Sequence, residues 1–165
     1  MTGSAFAADI YVPPPAPPVA PPAPLFSWAG SYAGAYGGVY FPFAWQAGVT
    51  LGHNFVRGSL IYGLEIQAGL VRNPMGSAFT VDLNARAGVA VGTTDRVLLY
   101  TEAGIGAIVS SGGPYVSFGA GAEIAVTDSL SLFAEAKALA GLPGPPGLID
   151  AFQFQAGVNW HFGRD

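Results

Sequence analysis

From Ser27 to Phe162 the side chains change character at every second position, and few folds can use such a run. Leu60, Tyr62, Leu64, Ile66, Ala68 and Leu70 alternate with Gly63, Glu65, Gln67 and Gly69. Val81, Leu83, Ala85, Ala87 and Val89 oppose Asp82, Asn84, Arg86 and Gly88, and Phe152, Phe154, Ala156, Val158, Trp160 and Phe162 oppose Gln153, Gln155, Gly157, Asn159 and His161. Successive side chains of a β-strand point to opposite faces, so each stretch reads as a strand with one apolar and one polar or small face. The same pattern recurs around residues 46–54, 97–107, 118–124 and 130–137. With Tyr32 to Tyr40 in front, the chain holds eight strands. In that first strand Tyr32, Tyr36 and Tyr40 share a face with Gly34 and Gly38, which leaves its orientation open.

Charge decides what the two faces meet. A water-facing surface carries about 25 to 35% Lys, Arg, Glu and Asp, whereas 10% of this chain is charged. Gly and polar residues interrupt every apolar stretch before the roughly 18 residues that a membrane-spanning helix needs. A closed barrel, with all its backbone groups paired between strands, is the other structure that spans lipid. Lys or Arg on the lipid side near the midplane costs about 2 to 4 kcal/mol, so Arg86, Lys137 and the carboxylates of their parity must point inward. The expectation is an all-β, eight-stranded, antiparallel, up-and-down transmembrane barrel, apolar outside and polar inside. A soluble lipocalin-like barrel would reverse the faces and leave Glu65, Glu102, Glu123 and Glu135 as its main exterior charges, a surface prone to aggregate. An even strand number puts both termini on one side. The absence of cysteine fits passage through an oxidising periplasm. A net charge of −4 supplies no basic patch, so nucleic acid is not an expected partner.

Four segments follow. Residues 1–7 read as a signal-peptide remnant whose A-x-A cleavage site is Ala5-Phe6-Ala7. Residues 8–26 hold a Pro/Ala tract from Val12 to Pro24, which cannot pair in a sheet and favours polyproline II; it reads as a disordered, semi-rigid periplasmic linker. Residues 27–162 form the barrel and 163–165 a tail. Tight turns are expected at 56–59, 92–96 and 127–129 on the side of the termini. On the other side short outer loops are expected at 41–44, 72–77, 110–114 and 141–150, and their brevity disfavours an adhesin or receptor. Two aromatic girdles are expected at the interfaces: Tyr40, Phe41, Phe43, Trp45, Phe79 and Phe152 at one end, Phe26, Trp28, Phe55, Trp160 and Phe162 at the other.

The order of these parts resembles a known family. Ala8-Asp9, the Pro/Ala tract, Phe26-Ser27-Trp28-Ala29-Gly30-Ser31-Tyr32-Ala33-Gly34 and Gly-rich alternating strands are similar to the small outer-membrane "porin family" barrels of alphaproteobacteria, with an OmpA-like transmembrane domain. The most specific piece is Gln155-Ala156-Gly157-Val158-Asn159-Trp160-His161-Phe162. It resembles the family's assembly signal, in which Gln155, Gly157, Trp160 and Phe162 would be read by the barrel-assembly machinery. The chain departs from the family in running on past the terminal Phe, to Gly163-Arg164-Asp165, and in a shorter first outer loop. The resemblance implies outer-membrane lipid and lipopolysaccharide as surroundings, periplasmic termini, and attachment of Ala8, followed by Asp9, to peptidoglycan through the N-terminal amine.

Little in the sequence points to chemistry. His53 and His161 lack metal-ligand spacing and read as one interfacial and one lumenal side chain; no metal and no cofactor is expected. Gly104-x-Gly106 and Gly119-x-Gly121 lack the strand-loop-helix unit of a nucleotide site. Ser77, Ser110 and Ser111 near the outer rim have no neighbouring histidine, so an enzyme is not expected. Two readings remain: a structural barrel supporting envelope integrity, tethered to peptidoglycan, and a narrow porin-like channel for ions or small solutes. The candidate site in either is a lumen charge network of Glu65, Asp82, Arg86, Glu102, Glu123, Glu135 and Lys137. A turn at Gly112-Gly113 would set Glu102 across from Glu123, a turn at Thr94 would set Arg86 across from Glu102, and Glu65 would fall beside Asn84.

Overall fold

The computed structural model describes residues 26–41, 44–109, 113–142 and 151–163. The expected signal remnant, the expected Pro/Ala linker up to residue 25 with Ala8 and Asp9, the last two residues of the expected tail and much of three of the expected outer loops lie outside them, while Phe26, expected in the linker, is described with the barrel. Eight strands run in chain order: β1 (Gly30–Phe41), β2 (Ala44–Arg57), β3 (Leu60–Asn73), β4 (Gly76–Val91), β5 (Val97–Ile108), β6 (Pro114–Ala125), β7 (Leu130–Gly141) and β8 (Ala151–Phe162). Each pairs antiparallel with its sequence neighbours, and β8 returns to β1 from Ser31↔Phe162 to Phe41↔Phe152. The sheet is thus a closed barrel with the start of β1 and the end of β8 at one end. Closure satisfies the strand backbone groups without water, and a membrane barrel requires that.

The faces follow the side-chain costs. Leu51, Leu64, Ile66, Val81, Leu83, Ile105, Phe118, Leu132 and Phe154 are among the large apolar residues exposed on the outside. The inside buries Gln46, Thr50, Gln67, Asn84, Gln153 and Gln155 together with all seven residues of the expected charge network. This is a soluble protein turned inside out, as lipid demands. In β1 the tyrosines point inward, Tyr32 fully and Tyr36 almost fully buried.

Glycines on the inner face make room for these rings. The Tyr32 ring lies over Gly52, Tyr36 over Gly48 and Gly69, Tyr100 over Gly121, Tyr115 over Gly106 and Phe133 over Gly157; a Cβ at any of these glycines would run into the ring. Several of these are direct cross-strand partners, such as Tyr32↔Gly52, Tyr100↔Gly121 and Gly106↔Tyr115.

That pairing corrects one expected register. Arg86↔Glu102 and Glu65↔Asn84 are partners, but Glu102 faces Gly119, four residues before Glu123, and Glu123 faces Leu98. A turn centred on Gly112-Gly113 would have set Gly104 against Gly121 and Gly106 against Gly119, two empty pairs on a face that must be filled. The observed register instead seats Tyr100 and Tyr115 over glycines, and because the shift is even, every side chain keeps its face.

Two further corrections concern the ends. Arg72 and Asn73 pair with Ser77 and Gly76, so the second outer connection is the two-residue turn Pro74-Met75 and not the whole of 72–77. Phe26 and Trp28 are not girdle residues: they are buried inside the barrel, 4% and 3% exposed, against Ile61, Leu98, Tyr100 and Ala125. Tyr40 also faces inward. Phe41, Trp45, Phe79 and Phe152 at one end, and Phe55, Trp160 and Phe162 at the other, do face outward. The expected loops at 110–112 and 143–150, and Phe43, lie outside the described residues.

Candidate lumen site

The buried charges form two ion-paired groups. In the first, Arg86 on β4 reaches across the lumen. Its Nη2 donates to Glu123 Oε2 at 2.7 Å, and its Nη1 donates to Tyr32 Oη at 3.0 Å and stands 3.5 Å from Glu65 Oε2. Tyr32 donates in turn to Glu65 Oε2 at 2.6 Å. The guanidinium lies over the Tyr100 ring, 4.2 Å from its centroid, and such stacking suits a planar, weakly hydrated cation. Glu123 is further held by Ser131 Oγ at 2.5 Å and Asn159 Nδ2 at 3.0 Å, with His161 Nε2 at 3.1 Å.

The second group centres on Lys137 of β7. Its Nζ lies 2.6 Å from Glu102 Oε1 and 3.0 Å from Glu135 Oε1, and donates to Gln67 Oε1 at 3.2 Å. Tyr100 donates to Glu135 Oε2 at 2.7 Å. Gln155 donates to Glu135 and receives a bond from Gln46 at 2.7 Å. Gln67 also donates to Glu65 at 2.8 Å, which joins the two groups into one layer across the barrel. Asp82 stands apart, accepting from Tyr115 Oη at 2.5 Å.

The geometry thus brings six of the seven expected residues together, but not through the expected cross-strand neighbours. Glu102 belongs to Lys137, not to its cross-strand neighbour Arg86. Alternation put Gln67, Gln155 and Ser131 on the polar face with the charges, but did not indicate the bonds by which they and the tyrosines complete the layer. Among the described residues five buried carboxyl groups stand against two buried cations, a formal excess of negative charge. Glu102 Oε2, Thr50 Oγ1 and both side-chain atoms of Asn54 are buried without a hydrogen-bond partner among the described residues. Such groups in a roomy site are satisfied by water.

Glu123, Ser131 and His161 superficially resemble a hydrolase trio. In a working trio the serine sits on one ring nitrogen and the carboxylate on the other. Here both meet Nε2, Nδ1 has no partner among the described residues, and all three side chains are buried at 3% exposure or less. The arrangement holds Glu123 and offers a substrate no approach.

Below the layer, at the end of the termini, Phe26 and Trp28 fill the bore. Trp28 Nε1 donates to the Asp95 carbonyl at 2.7 Å. Asp95 adopts a left-handed conformation (φ 50°) in the 92–96 turn. Phe26 packs edge-on against Trp28 and His161, with centroids 4.7 and 5.1 Å apart. At the opposite end, above Thr80 and Tyr115, the barrel opens into a cavity of about 770 Å³.

These features define the architecture, and known structures share it. The chain is similar to the N-terminal β-barrel domain of Pseudomonas aeruginosa OprF, with a TM-score of 0.61 and 19% identity over 80% of this chain and 96% of that one. It is similar to Neisserial surface protein A at TM-score 0.52 and 15% identity over 81% and 98% of the two chains. A de novo designed transmembrane β-barrel matches at 0.57 and 15% identity over 82% and 98%. The likeness is one of fold. No family model matches the sequence, and no curated protein matches it. A designed barrel among the neighbours underlines that this shape follows from alternation and closure, and that function must be argued from the lumen.

Proposed function

We propose that the chain is a structural protein of the outer membrane whose barrel anchors the envelope and does not conduct. The observation that carries this reading is the filled bore: an ion-paired layer of residues no more than 7% exposed crosses it, and Phe26 and Trp28 stop one end. Eight-stranded barrels have an interior just wide enough for side chains to fill. The apolar belt with aromatic rims, the fold shared with outer-membrane barrels and the resemblance to the alphaproteobacterial family all support the location. By that resemblance the termini are periplasmic, the assembly machinery reads β8, and Ala8 is joined to peptidoglycan, with the Pro/Ala tract as spacer. A narrow channel is the competing role, and the unpaired lumen groups at Asn54 and Thr50 favour some internal water. Planar-bilayer recording separates the two: the structural role expects no stepwise conductance, and stable unitary steps would overturn it. For the tether, a fraction released from boiled sacculi only by muramidase is expected; complete release by hot detergent alone would exclude a covalent link.

A further inference from the structure

The cavity at the end opposite the termini differs from the rest of the interior. Its walls are largely apolar, with Val71, Ala78, Ile108 and Leu139 among them and Tyr40, Asn73 and Ser77 as uncharged polar neighbours, and no charged side chain is among its described lining residues. Its volume of about 770 Å³ falls within the roughly 300 to 1,000 Å³ typical of small-molecule sites. It is also a dead end, since the ion-paired layer lies beneath it. Two hydroxyls occupy the floor. Tyr115 spends its proton on Asp82 and keeps an oxygen able to accept. Thr80 is 4% exposed, and its Oγ1 has no hydrogen-bond partner among the described residues. A buried hydroxyl left unmatched is costly, and a ligand head group that bonds it recovers that cost.

We propose that this cavity binds a neutral, single-chain amphiphile, its aliphatic body against the apolar walls and its uncharged polar head on Thr80. The charge of the bore selects the head. Asp82 stands directly below Tyr115, in an interior with five carboxylates and two cations, so an anionic head would meet like charge. An alcohol or ester can both accept from and, for the alcohol, donate to Thr80 without that repulsion. The site does not depend on which side of the membrane the cavity faces.

The sequence supplies a reporter. Its two methionines are Met1 and Met75, and Met75 lines the rim of the cavity. The full chain, labelled with ¹³C-methyl methionine and placed in deuterated lipid nanodiscs, is titrated with 1-decanol and, separately, with decanoate at neutral pH. The proposal expects a saturable shift of the Met75 methyl resonance with decanol and at least about tenfold weaker binding of decanoate. Thr80→Val, close in shape, should weaken decanol by about three- to tenfold, and Ala78→Trp, which fills the cavity, should abolish the saturable shift. Asp82→Asn should narrow the gap between the two probes. A shift that rises linearly, unchanged by Thr80→Val, would mean partition into the bilayer and would overturn the site. Decanoate binding as tightly as decanol would overturn the assigned ligand class.

Discussion

Arg86 and Glu102 face each other directly across β4 and β5, yet they do not pair. Arg86 turns to Glu123 at 2.7 Å, and Glu102 to Lys137 at 2.6 Å. Cross-strand proximity is one geometry among several inside a barrel, because inward side chains also converge on the axis. Arg86 follows the arrangement that gives it two carboxylates and two rings at once.

The first prediction follows from that choice. Arg86→Ala strands Glu123 and Glu65 as buried negative charge, and breaking a buried pair costs about 3 to 5 kcal/mol, less where lumen water reaches it. Gel-shift melting of the heat-modifiable barrel should therefore drop much further for Arg86→Ala than for Arg72→Ala at the outer rim. Adding Glu123→Gln should recover more of the loss than adding Glu102→Gln. Equal recovery by the two would contradict the observed partners.

Lys137 gives a matching case. Lys137→Met leaves Glu102 and Glu135 facing each other without a cation, and the loss should again be about 3 to 5 kcal/mol by the same measure. Glu102→Gln should now be the better rescue, since Glu135 retains Tyr100 and Gln155. The two rescues should not exchange: Glu123→Gln in the Lys137→Met background should give no benefit. A single undivided charge pool would make them interchangeable.

What was legible in the sequence was the face of the charged residues and their strand neighbours from β2 to β8, while β1 stayed open and Tyr40 was misplaced. Leu64 and Glu65, or Ala85 and Arg86, differ so much in their cost against lipid that alternation alone sorts them. Register was harder. Between β4 and β5 the pairs are centred on Thr94, so Arg86↔Glu102 could be counted across it; the segment between β5 and β6 is just as short, but its pairs are centred two residues before Gly112-Gly113, and counting from those glycines missed by four residues. A usable signal was present nonetheless, in inward Tyr on one strand and inward Gly on the next, since Tyr100 and Tyr115 face glycines in the observed register and would face Ala125 and Ser110 in the one centred on Gly112-Gly113. The plug was illegible for another reason: Phe26 and Trp28 precede the first strand, where alternation does not apply, and an aromatic pair there reads equally as girdle or as stopper.

Ring-over-glycine packing yields a third test. A Cβ at Gly121 would stand 2.6 Å from Tyr100 Cζ and 2.8 Å from Glu135 Cβ, so Gly121→Ala must push the ring away and strain its bond to Glu135. Overpacking of this kind costs about 1 to 3 kcal/mol. Gly37, on the outer face, has its nearest atom 3.7 Å from such a Cβ, and Gly37→Ala should stay within about 0.5 kcal/mol of the parent. Melting that does not distinguish the two alanines would remove the packing argument.

The last prediction concerns the stopper. Of the chain's three tryptophans, Trp45 and Trp160 are 50% and 63% exposed on the outer face, while Trp28 is 3% exposed within the bore. Trp45→Phe with Trp160→Phe leaves Trp28 as the sole fluorophore. In bilayers its emission should resist both aqueous acrylamide and brominated lipid chains, because the ring meets neither water nor acyl carbon. A girdle tryptophan would be quenched by the lipid probe, and a tryptophan outside the barrel by acrylamide. Replacing Trp28 itself by Ala removes the bond to the Asp95 carbonyl and opens a cavity beside Phe26; for a buried aromatic that costs about 3 to 5 kcal/mol. The ion-paired layer above is untouched by this change, so Trp28→Ala should lower the melting temperature while still giving no unitary conductance. Steps appearing on loss of Trp28 alone would show that the stopper, and not the charged layer, is what closes the barrel.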